Sequence, residues 1–250
     1  MGETRSCGRV TARVLIFVDH QPPRRQLIFG RRRGRVLRPG QKRLIRELLP
    51  RVLLTIPPSA CLQQATEVPV AGRPVWLEIG FGAGEHLAAQ AECHREINFI
   101  GCDVFENGIA KLLERIERRR LDNIRVFNQD ARLLIETMPT ASVDRVFILF
   151  PDPWPKRRHA KRRIISRDTL DSLAAIMKDG AELRVATDDR DYVCWIIERL
   201  TNHPAFEWLA RRRTDWRERP ADWPPTRYEE KALAAGRLPV FFRSRRRARN

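Results

Sequence analysis

Residues 75–94 read VWLEIGFGAGEHLAAQAECH, and this stretch decides the fold. It begins as an apolar strand, VWLEIGF (75–81), and turns at Gly80, Gly82 and Gly84. It continues as a helix, EHLAAQAECH (85–94). Glycines at such a turn let the backbone bend tightly and come close to a ligand.

The same alternation continues downstream. NFIGCDVF (98–105), IRVFNQD (124–130), DRVFILF (144–150) and AELRVATDD (181–189) read as strands. Between them lie ENGIAKLLERIERRRL (106–121), with apolar residues at 109, 112, 113 and 116, the short RLLIETM, SRDTLDSLAAIM (166–177), opening on a serine cap, and then YVCWIIERL (192–200). Helices alternating with continuous apolar strands predict a mostly parallel sheet covered on both faces. The handedness of such connections makes it a doubly wound, Rossmann-like α/β fold. FEWLA (206–210) and LPVFFR (238–243) supply an antiparallel C-terminal edge. Upstream, PGQKRLIRELLP is a short helix with Leu44, Ile45, Leu48 and Leu49 on one face, and Pro50, Pro57, Pro58, Pro69 and Pro74 mark an irregular connection. The predicted organisation is a basic N-terminal arm (1–36), one domain (37–243) and a basic tail (244–250).

The 250 residues carry a formal charge of +17 and are 42% hydrophobic, so a core forms despite the charge. A surplus this basic calls for a polyanionic partner. No apolar run approaches the ~20 residues of a membrane span. The run VLIFV (14–18) falls short of the ~7–15 residues of a signal-peptide core, so a cytoplasmic protein, monomer or homodimer, is expected. Cys7, Cys61, Cys93, Cys102 and Cys194 form no C-x-x-C and are expected to be small core residues of a reducing compartment. No metal signature is present.

Ligands of such a sheet bind beyond the carboxyl ends of its strands. Four acids belong there: Glu78, Asp103, Asp130 and Asp152. The glycine spacing is G-x-G-x-G, with Glu85 in the slot where a dinucleotide fingerprint has its third small residue. Glu78, two residues before the first glycine, would repel a pyrophosphate but suits a cation. S-adenosylmethionine, with an amine, a sulfonium and no phosphate, fits better than a nicotinamide cofactor. Asp103 suits ribose hydroxyls, and Asp130 the adenine amino group. In LFPDPWPKRRHAKRRI (149–164), Asp152 lies between two prolines, which fix φ and remove two donors. Trp154 offers a face for stacking a base. Six basic side chains follow within eight residues, from Lys156 to Arg163. Of these, Arg158, Lys161, Arg162 and Arg163 are expected on RNA phosphates.

Taken together, LEIGFGAGEHL, FIGCDVFENGIAKLL, NQDA, FPDPWPKRRHAKRR, ATDD and TRYEEK resemble the bacterial tRNA (guanine-N7)-methyltransferase family, from roughly Leu37 to Arg245. The resemblance implies Glu78, Gly80, Gly82, Gly84, Asp103, Asp130 and Asp152 around S-adenosylmethionine. It implies Lys156, Asp188, Thr226, Arg227, Tyr228 and Glu229 on the substrate, with guanine 46 of the tRNA variable loop as the acceptor. Asp152 is the expected catalytic group, opposing the positive charge that develops on the base. Asp103 stands where the family usually has glutamate, and Phe105 where histidine is common. Alternatives are a methyltransferase acting on rRNA or protein, or an RNA-binding homologue without activity.

Overall fold

The computed structural model describes residues 30–56 and 72–249. In chain order the elements are α1 (Pro39–Glu47), α2 (Leu49–Val52), β1 (Val75–Ile79), α3 (Glu85–Cys93), β2 (Asn98–Cys102), α4 (Glu106–Arg119), β3 (Ile124–Phe127), α5 (Ala131–Ile135) and β4 (Val143–Leu149). A 3₁₀-helix (Arg157–Arg162) follows, then α6 (Arg167–Ile176), β5 (Met177–Thr187), α7 (Arg190–Thr201), β6 (Phe206–Trp208), α8 (Thr214–Arg217), α9 (Arg227–Ala234) and β7 (Val240–Arg246). The strands form one sheet in the order β3-β2-β1-β4-β5-β7-β6. The first five are parallel, and β7 runs antiparallel between β5 and β6. The expected α/β sheet with an antiparallel C-terminal edge is therefore present.

Strand alternation builds a core on each face. In β1, Val75, Leu77 and Ile79 point to the face where Leu134 of α5, Leu170 and Leu173 of α6, and Ile196 of α7 pack. Trp76 points the other way, into the cluster of Leu44 of α1, Leu87 of α3, and Leu112 and Leu113 of α4. Caps fix the helix starts: Ser166 Oγ accepts from Thr169 N, Asp189 Oδ1 from Tyr192 N, and Thr226 Oγ1 from Glu229 N.

Residues beyond both expected domain boundaries pack against the domain. Residues from Gly30 onward, assigned to the arm, already pack on the start of α4: Glu106 N–H donates to the Arg32 carbonyl, and Asn107 bonds both Gly34 N–H and the Arg35 carbonyl (2.6 Å each). Most of the arm lies outside the described residues, as do Cys7 and Cys61. At the other end the assigned tail starts inside a strand, because β7 runs on to Arg246 with Ser244 fully buried. Arg249 then closes α6, one terminal nitrogen reaching the carbonyls of Ala174, Ala175 and Met177 (3.1, 2.8 and 2.6 Å). A guanidinium there meets the negative end of the helix and its unpaired carbonyls. Arg249→Ala should therefore destabilise the fold by about 1–2 kcal/mol, lowering Tm by roughly 2–8 °C in a thermal melt. Of the described cysteines only Cys102 is buried; Cys93 and Cys194 are exposed on helices, contrary to the expected core placement.

Candidate active site

Beyond the carboxyl ends of the parallel strands lies a cavity of about 390 Å³. Asp103, Asp130 and Asp152 all line it, with Gly80 and Gly82. The glycine turn is gripped from both sides. Gly82 has φ +57, and a β-carbon there would come 3.0 Å from Tyr228 Cε2. A β-carbon on Gly108 of α4 would run into the Gly82 carbonyl oxygen.

Asp103 is held by main-chain donors: Gly82 N–H to Oδ2 (2.7 Å) and Phe105 N–H to Oδ1 (2.9 Å). Burial pushes its carboxyl up to about 6, the Asp152 charge adds to this, and the main-chain bonds pull the other way. Asp130 caps α5, accepting from Arg132 N–H at 3.0 Å. Tyr228 leans over the turn from α9. Burial, then the charges of Asp103, Asp152 and Glu85, hold its phenol above its ordinary value, so it stays a donor.

The Asp152 loop is strained. Phe150 (φ 51) and Trp154 (φ 43) both adopt left-handed backbone on either side of the carboxylate, a conformation that costs bulky residues about 1–3 kcal/mol each. Such strain clusters where a side chain must be aimed. Arg162 also lines the cavity, its guanidinium 4.9 Å above the Trp154 ring.

Other expected site residues do not line the main cavity itself. Glu78 is 3% exposed, and its carboxylate accepts from His86 Nδ1 of α3 at 2.7 Å. It faces a narrow recess that shares Gly80, Leu149, Phe150 and Tyr228 with the main cavity. Gly84 turns away from the cavity, against Leu112. Asp188 pairs with Arg237 (2.6 Å) and does not line the cavity. Thr226 is buried and spends its hydroxyl on the α9 cap, while Glu229 is buried and pairs with Arg219 (3.0 Å). Arg227 is exposed at the start of α9. Lys156, Arg158 and Lys161 are exposed on and beside the 3₁₀-helix, as an RNA contact requires.

Arg163 departs from its expected place on RNA. It is 8% exposed, with Nε donating to the Pro153 carbonyl (2.7 Å) and a terminal nitrogen reaching the Trp154 carbonyl (3.4 Å). A 3₁₀-helix turns every three residues, so six cations spread over the eight residues 156–163 cannot share one solvated side. Sequence reasoning missed Arg31, Gln129 and Arg132, which line the cavity, and Arg219, which holds Glu229. Gln129 and Arg132 flank Asp130 and were within reach of a strand-end argument. Arg219 carries no signal beyond its charge.

A Rossmann-like sheet in this order, with a glycine turn and acids at successive strand ends, defines a methyltransferase fold. It is similar to the solved structure titled "Structure of an Antibiotic Related Methyltransferase" (TM-score 0.50, 22% identity, covering 78% of this chain and 96% of that one). A family model described as "Putative methyltransferase" matches residues 72–241, and the chain belongs to that family. Its relatives include proteins named tRNA (guanine-N(7)-)-methyltransferase. The one from Paramagnetospirillum magneticum is 53% identical over 227 residues, 90% of this chain and 94% of the relative. The one from Rhodospirillum rubrum is 48% identical over 238 residues, 93% of this chain and 92% of the relative.

Proposed function

We propose that this chain transfers a methyl group from S-adenosylmethionine to N7 of guanine in tRNA, at position 46 of the variable loop, in the cytoplasm. The observation that carries the reading is the convergence of Asp103, Asp130 and Asp152 on one cavity, beside an exposed basic 3₁₀-helix. The residues suit the cofactor: carboxylates at the ends of β2 and β3 accept from ribose and adenine donors. Among the described residues no helix is long and apolar enough to cross a membrane, and no group of three or more His, Cys, Asp or Glu is placed to hold a metal ion.

S-adenosylmethionine, when bound, supplies an electrophilic methyl group on a sulfonium. Guanine N7 carries a lone pair and no proton, so the chain needs no general base. Its task is to bring N7 in line at near-attack distance, roughly 3–3.5 Å. Trp154 offers a stacking face, and Asp152 opposes the positive charge that grows on the purine. Asp188, Thr226 and Glu229 are proposed near the Watson–Crick edge and the sugar. Arg219 would orient Glu229, and opening of the Asp188–Arg237 pair would free that carboxylate.

Incubating the protein with labelled cofactor and either bulk tRNA or rRNA tests the reading. Label should enter tRNA and appear as 7-methylguanosine on nucleoside analysis. Label confined to rRNA or protein would overturn it.

Asp103 gives a pH signature. Its carboxyl is raised from 3.8 to about 6, mainly by burial. The folded state therefore keeps a proton that the unfolded chain has already lost. The stability this group contributes is complete below about pH 4 and is lost as pH rises through about 6. Only the ionised form accepts two ribose hydrogen bonds. Calorimetry should show cofactor affinity rising about tenfold from pH 5 to 7 and then levelling, with proton release on binding near pH 6. Asp103→Asn should bind weakly and without that pH dependence.

A further inference from the structure

The basic run raises a problem that RNA binding does not answer: one of its six cations is buried. Burying a guanidinium is unfavourable unless its donors are used. Arg163 places its donors on the carbonyls of Pro153 and Trp154, the two residues after Asp152. Its guanidinium also lies over two rings of α7, Trp195 (4.5 Å) and Tyr192 (5.2 Å). Those rings are themselves tied to Ile165, Trp195 Nε1 donating to its carbonyl (2.6 Å) and Tyr192 Oη accepting from its N–H (3.3 Å).

The loop needs such a tie. Pro151, Pro153 and Pro155 have no N–H, so few main-chain donors can hold it. Phe150 and Trp154 are both left-handed, and relaxation of either would swing Asp152. We propose that Arg163 is a positioning residue for methyl transfer: it clamps the Pro153 and Trp154 carbonyls against α7 and so aims Asp152 and Trp154 at the cavity. The role in methyl transfer rests on the functional reading above; the clamp itself does not. Lysine in its place keeps the charge but lacks the planar fork that serves two carbonyls and stacks on a ring.

The test uses Arg163→Lys and Arg163→Met, the second keeping the apolar stem. Three quantities are read: kcat and KM with tRNA, the salt dependence of tRNA binding, and amide exchange of Asp152, Trp154 and Lys156 in cofactor-free protein. Both variants should lose about 30-fold in kcat, or about 2 kcal/mol, with KM and salt slope unchanged. The loop amides should exchange faster while β4 and α7 keep their protection. Unchanged loop exchange overturns the proposal whatever the rates do, as does kcat within about twofold of the parent. A salt slope reduced by about one would instead make Arg163 a phosphate contact. If the parent protein fails to methylate tRNA, the functional reading falls, and loop exchange still decides the clamp. If Arg163→Met does not fold, Arg163→Lys carries the comparison.

Discussion

Asp152→Ala is expected to lower single-turnover methyl transfer by at least 10²-fold, about 2.7 kcal/mol, while tRNA affinity stays close to the parent's. The two should separate because Asp152 makes no contribution to phosphate binding; a carboxylate repels phosphate. Its value lies in the transition state, where positive charge moves from sulfur to the purine. In the free protein the carboxylate is exposed at the cavity wall. A unit charge at 4 Å is worth only about 1 kcal/mol in water and about 4 at an effective dielectric near 20. The nucleotide, by covering the loop, supplies the drier surroundings in which the charge matters. Asp152→Asn isolates the charge from the shape. It should fall nearly as far as alanine, since an amide neither balances a cation nor repels one. An asparagine variant with near-parental turnover would mean that shape alone is used. Unchanged turnover in both variants would remove Asp152 from the chemistry.

The sheet was legible because its parallel strands are largely apolar runs, four of them followed closely by an acid (Asp103, Asp130, Asp152 and Asp188), and because α5, α6, α7 and α9 start on caps that the chain spells out, such as Ser166. The cavity acids Asp103, Asp130 and Asp152 were legible for the same reason. Glu78 shares parity in β1 with Trp76, so it points toward α3, where His86 meets it, at a recess that adjoins the cavity. His86 was readable as a helix residue but not as a partner, because the pairing exists only after α3 folds back on β1. Arg163 escaped for a related reason: composition counts cations and says nothing of which one is turned inward. The C-terminal arginines looked like a solvated tail, since charge dominates RSRRR (243–247), yet alternation within that run buries Ser244 and Arg246 and exposes Arg243, Arg245 and Arg247. A two-residue period can be hidden by arginine, whose apolar stem packs while its head finds carbonyls.

The largest effect expected of this protein is on RNA affinity. With Arg163 withdrawn, Lys156, Arg157, Arg158 and Lys161 remain exposed around the 3₁₀-helix, and Arg227 stands exposed at the start of α9. Arg31 adds a cation on the cavity wall. About six phosphates neutralised by these groups predict a loss of tRNA affinity on the order of 10³-fold between about 50 and 200 mM salt. The dependence should be linear in log–log form, because each neutralised phosphate releases close to one condensed counterion. Lys156→Ala with Lys161→Ala should lower the slope by about two and weaken every tRNA alike, since phosphate contacts carry no sequence information. Turnover at saturating tRNA should be retained, which sets these lysines apart from Asp152. The same double variant with an unchanged slope would move the RNA path off the 3₁₀-helix. A flat response in the parent would count against a tRNA substrate, because a chain of net charge +17 that binds a polyanion through its arginines and lysines cannot be indifferent to salt.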